Sequence, residues 1–187
     1  FVRSENGKPT GTLALGDIRL PFKTRDSRGA LNFKDSVMDW QLGKSLRAEI
    51  KSSALLAPIT LGERQLKIDA RDPLLTLETG DGPFQFAASL GNSTFDGDLI
   101  PAKVSSAGFE FSGSVPETGF AGELRSNDVR IEDYRDDPIY TPIRADLSAT
   151  IKDGRIVMSG PLRLQRSGWT IAEARMDLGL SDLSGTA

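Results

Sequence analysis

At 187 residues the chain is long enough for one domain with a core of its own. Its net charge of −3 argues against a nucleic-acid binder, and no apolar run approaches the roughly 20 residues of a membrane-spanning helix. Histidine and cysteine are both absent, which excludes Ser–His triads, imidazole acid–base chemistry, thiol nucleophiles, disulfides and metal sites built on either residue.

Apolar residues alternate with period two, the pattern of strands with one buried face. Leu13 and Leu15 begin one row, and Ile18 and Leu20 resume it out of phase, so a bulge is expected at Gly16-Asp17. The charged stretch Lys23–Gly29 reads as a long loop. Leu31 and Phe33 follow, then Met38, Trp40 and Leu42, then Leu46, Ala48 and Ile50. Ser52–Leu61 is the one candidate for a short helix, although Pro58 opposes it. Leu66, Ile68 and Ala70, then Leu75 and Leu77, then Phe84, Phe86, Ala88 and Leu90 continue the alternation. The second half brings Phe109, Phe111 and Val115, then Phe120 and Leu124, then Val129 and Ile131. Ile143 to Ile151 is the cleanest row, and Ile156, Met158, Leu162 and Leu164 answer it across Asp153-Gly154, the strongest hairpin signal. Trp169, Ile171, Met176 and Leu178 close the chain. Asp81-Gly82-Pro83, Gly91-Asn92-Ser93 and Pro116–Gly119 read as further turns. The sum is roughly a dozen strands of about five to ten residues, with no βαβ crossover.

A small unit recurs in which Gly sits between apolar residues two positions away. It appears as Phe95–Leu99, Phe111–Val115, Phe120–Leu124 and Met158–Leu162. Period two places each Gly on the apolar face, where it either lets the sheet bend or leaves the face open to a ligand.

Alternating rows joined by Asp-Gly turns, as in Asp146–Gly160, resemble the AsmA-like superfamily, most closely its YdbH-like and TamB-like envelope proteins of Gram-negative bacteria. The resemblance implies a curved, mostly antiparallel sheet folded into an open trough, and a periplasmic protein whose parent is anchored in the inner membrane. It further implies a hydrophobic groove that conducts phospholipid between inner and outer membranes and a part in outer membrane biogenesis. Neighbouring segments of the same protein, and other envelope proteins, are the partners it implies. The family brings no catalytic motif and no cofactor. The start at Phe1 and the end at Ala187 lead to the expectation of a single β-rich segment, 1–187, cut from a longer protein.

Carboxylates are the remaining candidates for chemistry. Glu132, Asp133, Asp136, Asp137 and Glu173 have the right type for a glycosidase pair, but no spacing selects two of them. Asp133, Asp136 and Asp137 could offer oxygens to calcium, yet the Asp-x-Asp-x-Asp-Gly pattern is missing. The window Glu132–Pro138 is expected to be an exposed loop, with Tyr134, Arg135 and Tyr140 able to meet a headgroup or sugar. Neither an enzyme nor a metal site is expected.

Two readings remain. In the first, acyl chains lie along an apolar concave face lined by Phe33, Trp40, Leu42, Phe84, Phe86, Phe109, Phe111, Phe120, Leu147, Met158, Leu162 and Trp169. In the second, the same residues seal the core of a β-sandwich or closed barrel, a structural or adhesive module of the envelope. Alternation cannot separate them, because a strand looks the same whether its inner face meets a sheet or a lipid.

Overall fold

The structure, a computed structural model, describes residues 2–5, 8–23, 27–98, 102–115, 120–135, 139, 141–179 and 185–186. Every regular element among them is a strand and every pairing is antiparallel. The first half contains β1 (Val2–Glu5), β2 (Lys8–Lys23), β3 (Ser27–Leu42), β4 (Leu46–Lys51), β5 (Ala54–Leu61), β6 (Arg64–Arg71) and β7 (Leu74–Thr79). The second half contains β8 (Phe84–Leu90), β9 (Ser93–Asp96), β10 (Lys103–Val115), β11 (Ala121–Glu132), β12 (Ile143–Lys152), β13 (Arg155–Leu164), β14 (Thr170–Gly179) and β15 (Gly185–Thr186).

All belong to one sheet, and its order becomes simple once bent strands are recognised. β3 pairs with β5 through its first half and with β4 through its second. Only Ser52 and Ser53 separate β4 from β5, so the two are halves of one long strand. β6 and β7, then β8 and β9, repeat this arrangement, and β10 spans both halves again. The sheet is therefore a meander of long strands crossed by one transverse crease. The pairings β10–β8–β7–β4–β3–β5–β6–β9–β10 form a partial ring around it.

The crease has a consistent local chemistry. Gly16 (φ 65°), Asp35 (φ 49°), Asp72 (φ 50°) and Asp128 (φ 56°) adopt left-handed backbone there. Asp tolerates this conformation better than most residues because its short side chain bonds locally. The Asp35 N–H donates to Asp17 Oδ1 (3.2 Å), and the Asp128 N–H donates to Asp146 Oδ1 (3.1 Å). Backbone bonds carry the ladder across the bend: Ser52 N–H to Pro73 O (3.0 Å), Arg71 N–H to Asn92 O (3.1 Å) and Gly91 N–H to Arg71 O (2.8 Å).

The inside of a fold line leaves little room, and the sequence supplies small residues there. Ser36, Ser52, Ser93, Ser106 and Ser126 are buried, as are Ala57, Ala70 and Ala145. The hydroxyls pair with each other, Ser36 with Ser52 and Ser106 with Ser126, both at 2.8 Å, as buried polar groups must. Leu55 and Val129 are the only buried hydrophobic residues larger than alanine among the described residues.

Several expectations change. Ser52–Leu61 is not helical: Leu55, Ala57 and Ile59 alternate inward along β5. Pro58 is tolerated because no β3–β5 register pair falls on it. Lys23–Gly29 is not a long loop, since β2 reaches Lys23 and β3 begins at Ser27. Gly91-Asn92-Ser93 does not reverse the chain; it is the crease between β8 and β9, both antiparallel to β10. The strands are also longer than expected, with 16 residues in β2 and β3. The bulge at Gly16 and the Asp153-Gly154 hairpin (φ 51° and 71°) are present. Pro116–Gly119 lies outside the described residues.

Candidate functional site

Strand register assigns every side chain to a face, because directly paired residues point the same way. One row runs Phe33–Leu55–Ala70–Ser93–Ser106–Val129–Ala145–Leu162–Ala172 across nine strands. A second runs Trp40–Ala48–Leu77–Phe86–Gly113–Gly122–Ile151–Ile156. Both rows belong to a single apolar face. Lysines, arginines and carboxylates stand on the other, where Arg47 pairs with Glu78, Lys103 with Glu132 and Glu123 with Thr150.

The crease folds this apolar face towards itself. A cavity of about 570 Å³ results, lined from one side of the crease by Leu20, Leu31, Phe33, Leu55, Ile68 and Phe95. Ile50, Leu75, Ala88, Leu90, Phe109, Phe111 and Leu124 line it from the other. Phe95 and Phe109 meet edge-to-face across the bend, with centroids 5.3 Å apart. Ser52 is the one polar residue in the lining, and its hydroxyl is engaged by Ser36. The volume lies within the usual range of ligand pockets, roughly 300–1,000 Å³.

The face stays accessible beyond the cavity. Leu13, Leu42 and Leu46 are 41–49% exposed, and Phe84 and Val115 at the far end are 39% and 46% exposed. Among the described residues there is no second sheet to cover them.

The sequence-derived lining candidates that lie in strands fall on this face. Phe33, Phe109 and Phe111 line the cavity itself. Trp40 and Leu42 lie towards one strand end. Phe84, Phe86 and Phe120 form an aromatic cluster with Phe111, whose centroids lie 5.4 Å from Phe86 and 6.1 Å from Phe120. Leu147, Met158 and Leu162 continue the face onto β12 and β13. Trp169 is 75% exposed, which departs from a sealed-core position; it stands at the turn before β14, where its carbonyl accepts the N–H of Leu164 opposite it (3.0 Å). A bulge at this register shift leaves Ile171 unpaired, so Trp169 and Ile171 do not form one continuous row.

The glycines also differ from an open lining. A Cβ on Gly113 would lie 2.8 Å from Phe86 Cζ, and one on Gly11 would lie 2.7 Å from the Trp40 ring. On Gly122 it would approach the Phe111 ring at 3.2 Å. These glycines are seats for aromatic rings from neighbouring strands, and the rings, not the gaps, make the surface.

Sequence reading missed Ile18, Leu20, Leu31, Ile50, Leu55, Ile68, Leu75, Leu90, Phe95 and Leu124 as lining. Most lie in visible apolar rows, while Leu55 falls in the stretch read as a possible helix and Phe95 in a glycine unit; only register and the crease bring them together.

Charged groups pair outside the groove. Lys34 bonds Asp17, which lowers the Asp17 pKa and raises that of Lys34. The carboxyl of Asp146 is also held below the ordinary range, first by the Asp128 N–H and then by Arg163. In the window expected to be exposed, Tyr134 and Arg135 are exposed, but the Asp133 side chain is only 2% exposed. It accepts the N–H groups of Ile139 (3.0 Å) and Arg135 (3.1 Å), which lower its pKa. Arg135 lies over the Tyr134 ring, 5.9 Å from its centroid, while Asp136, Asp137, Pro138 and Tyr140 lie outside the described residues. No group of three potential metal ligands occurs among the described residues. No described helix is long and apolar enough to cross a membrane.

Comparisons with protein-family models, curated proteins and solved structures gave no match.

Proposed function

We propose that the chain holds lipid acyl chains on the apolar face of its creased sheet. It would do so as a segment of a periplasmic, AsmA-like bridge that passes phospholipid between inner and outer membranes. The observation that supports this reading is the apolar cavity of about 570 Å³ continuous with exposed leucines and phenylalanines on the same face. An uncovered apolar surface of this extent is a liability in water unless it has a partner. Acyl chains suit it: the lining is aliphatic and aromatic, and each methylene removed from water contributes about 0.8 kcal/mol. The groove is lined by several strands and has no fixed polar anchor, so a chain can slide along it while its headgroup stays in water. A sealed sandwich would bury large side chains between two sheets, whereas here serines and alanines dominate the buried set.

The test is a photo-crosslinking amino acid at Leu20, on the apolar face, or at Arg19, on the charged face. Mass spectrometry of the irradiated protein from envelope extracts should find phospholipid adducts at position 20 and none at 19. Equal labelling, or none at either position, rejects the reading.

A further inference from the structure

The charged face carries a feature that lipid holding does not use. Arg130, Arg144 and Arg163 stand directly opposite one another on β11, β12 and β13. Like charges in direct cross-strand register destabilise a sheet, so three in a row require compensation. Two carboxylates supply part of it. Asp128 Oδ2 accepts from Arg130 Nη2 (3.2 Å), its Oδ1 lies 3.3 Å from Arg144 Nε, and Asp146 Oδ2 accepts from Arg163. Both acids are thereby engaged, since Asp146 Oδ1 also takes the Asp128 N–H. Arg144 is left under-served. Its buried Nε is not aligned for a hydrogen bond, and no described partner reaches its terminal nitrogens. The three guanidinium side chains are 40–43% exposed, so a solute can reach them.

We infer that this arginine row binds an oxyanion of the phosphate type, centred on Arg144. A guanidinium fork matches phosphate oxygens in pairs, and a doubly charged tetrahedral anion can engage neighbouring forks together. The same register row continues through Ser105 and Thr94, whose hydroxyls border a polar groove of about 410 Å³ that also contains Arg71 and Arg130. Asp69 follows Thr94 in the row, so the anion belongs at the arginine end. The site lies on the opposite face from the apolar cavity and does not depend on its occupant. The phosphate could be a soluble ion or a lipid phosphate at a membrane surface.

The probe is inorganic phosphate at low ionic strength, read by thermal shift and calorimetry on the wild type, Arg144→Gln and Arg125→Gln. Arg125 shares the charged face but is paired with Glu123 at 3.1 Å and lies outside the row. Phosphate should raise the Tm of the wild type and Arg125→Gln, with at least about tenfold weaker binding in Arg144→Gln, one decade being the loss of one charged contact. In phosphate-free buffer Arg144→Gln should keep or raise Tm, because a like charge is removed. Should that variant not fold, Arg144→Lys keeps the charge without the fork and should bind several-fold more weakly than wild type. Flotation with phosphatidylglycerol vesicles, against phosphatidylcholine, then separates the sources. Arg144-dependent flotation assigns a lipid phosphate, and binding of the free ion alone assigns a soluble one. Equal phosphate response in wild type and Arg144→Gln, or no response in either, overturns the proposal. So does an equal Tm loss in Arg144→Gln with and without phosphate, which would make Arg144 only an ion-pair partner.

Discussion

The ring of Phe86 occupies the place that a side chain on Gly113 would fill, directly across the β8–β10 ladder. An inner-face glycine would offer a ligand free space if nothing covered it; here a phenylalanine already fills it. Replacing Gly113 by Leu should therefore damage folding first, by about 1–3 kcal/mol of overpacking. Urea denaturation of Gly113→Leu beside Phe86→Ala/Gly113→Leu checks this. If removing the ring fails to restore part of the loss, the seat is not what limits the site.

The buried Ser36–Ser52 hydroxyl pair at the crease should be strongly coupled. Removing one partner leaves the other buried and unbonded, at about 1–3 kcal/mol, whereas removing both is close to neutral. A double-mutant cycle on Ser36→Ala and Ser52→Ala reads this directly. Additive single losses would show that water or backbone already satisfies each hydroxyl.

Asp146 predicts a pH dependence. Its pKa is depressed in the folded chain by the Asp128 N–H and Arg163. The stability it contributes is therefore complete above the unfolded value of about 3.9 and is lost as pH falls through the lower folded value. Asp146→Asn should lower Tm by a few degrees at pH 7, and the gap to wild type should close in strong acid. A gap that persists at pH 2 would trace the loss to shape and not to charge.

The Asp153-Gly154 turn has positive φ at both central residues, the geometry that matches strand twist in a two-residue hairpin. Gly154→Ala should cost about 1–2 kcal/mol, the penalty of a left-handed backbone for a residue with a Cβ. Equilibrium unfolding measures it, and a neutral outcome would mean that the turn relaxes to another type.

The strands themselves were legible in the sequence. Leu13, Trp40, Phe86 and Leu147 lie in period-two rows, and the structure keeps those rows on one face. What the rows could not convey is where a strand bends. Asp35, Asp72 and Asp128 look like ordinary surface acids between apolar runs, yet each holds a left-handed residue that lets the strand turn without leaving the sheet. For the same reason Gly91-Asn92 reads in the sequence as a chain reversal. The row that Trp169 and Ile171 seem to share is broken by a bulge in β14, and bulges leave little trace in composition.

The transverse crease separates two dimensions that most β-proteins couple. The reach of each strand on either side of the bend sets the width and depth of the groove, while the number of strands sets its length. Each strand adds about 4.8 Å along the crease. A hairpin inserted into the meander with its own Asp bend would thus lengthen the gutter by two strand spacings and leave its cross-section unchanged. A shift of one bend by a residue would alter the bore locally and leave the length alone.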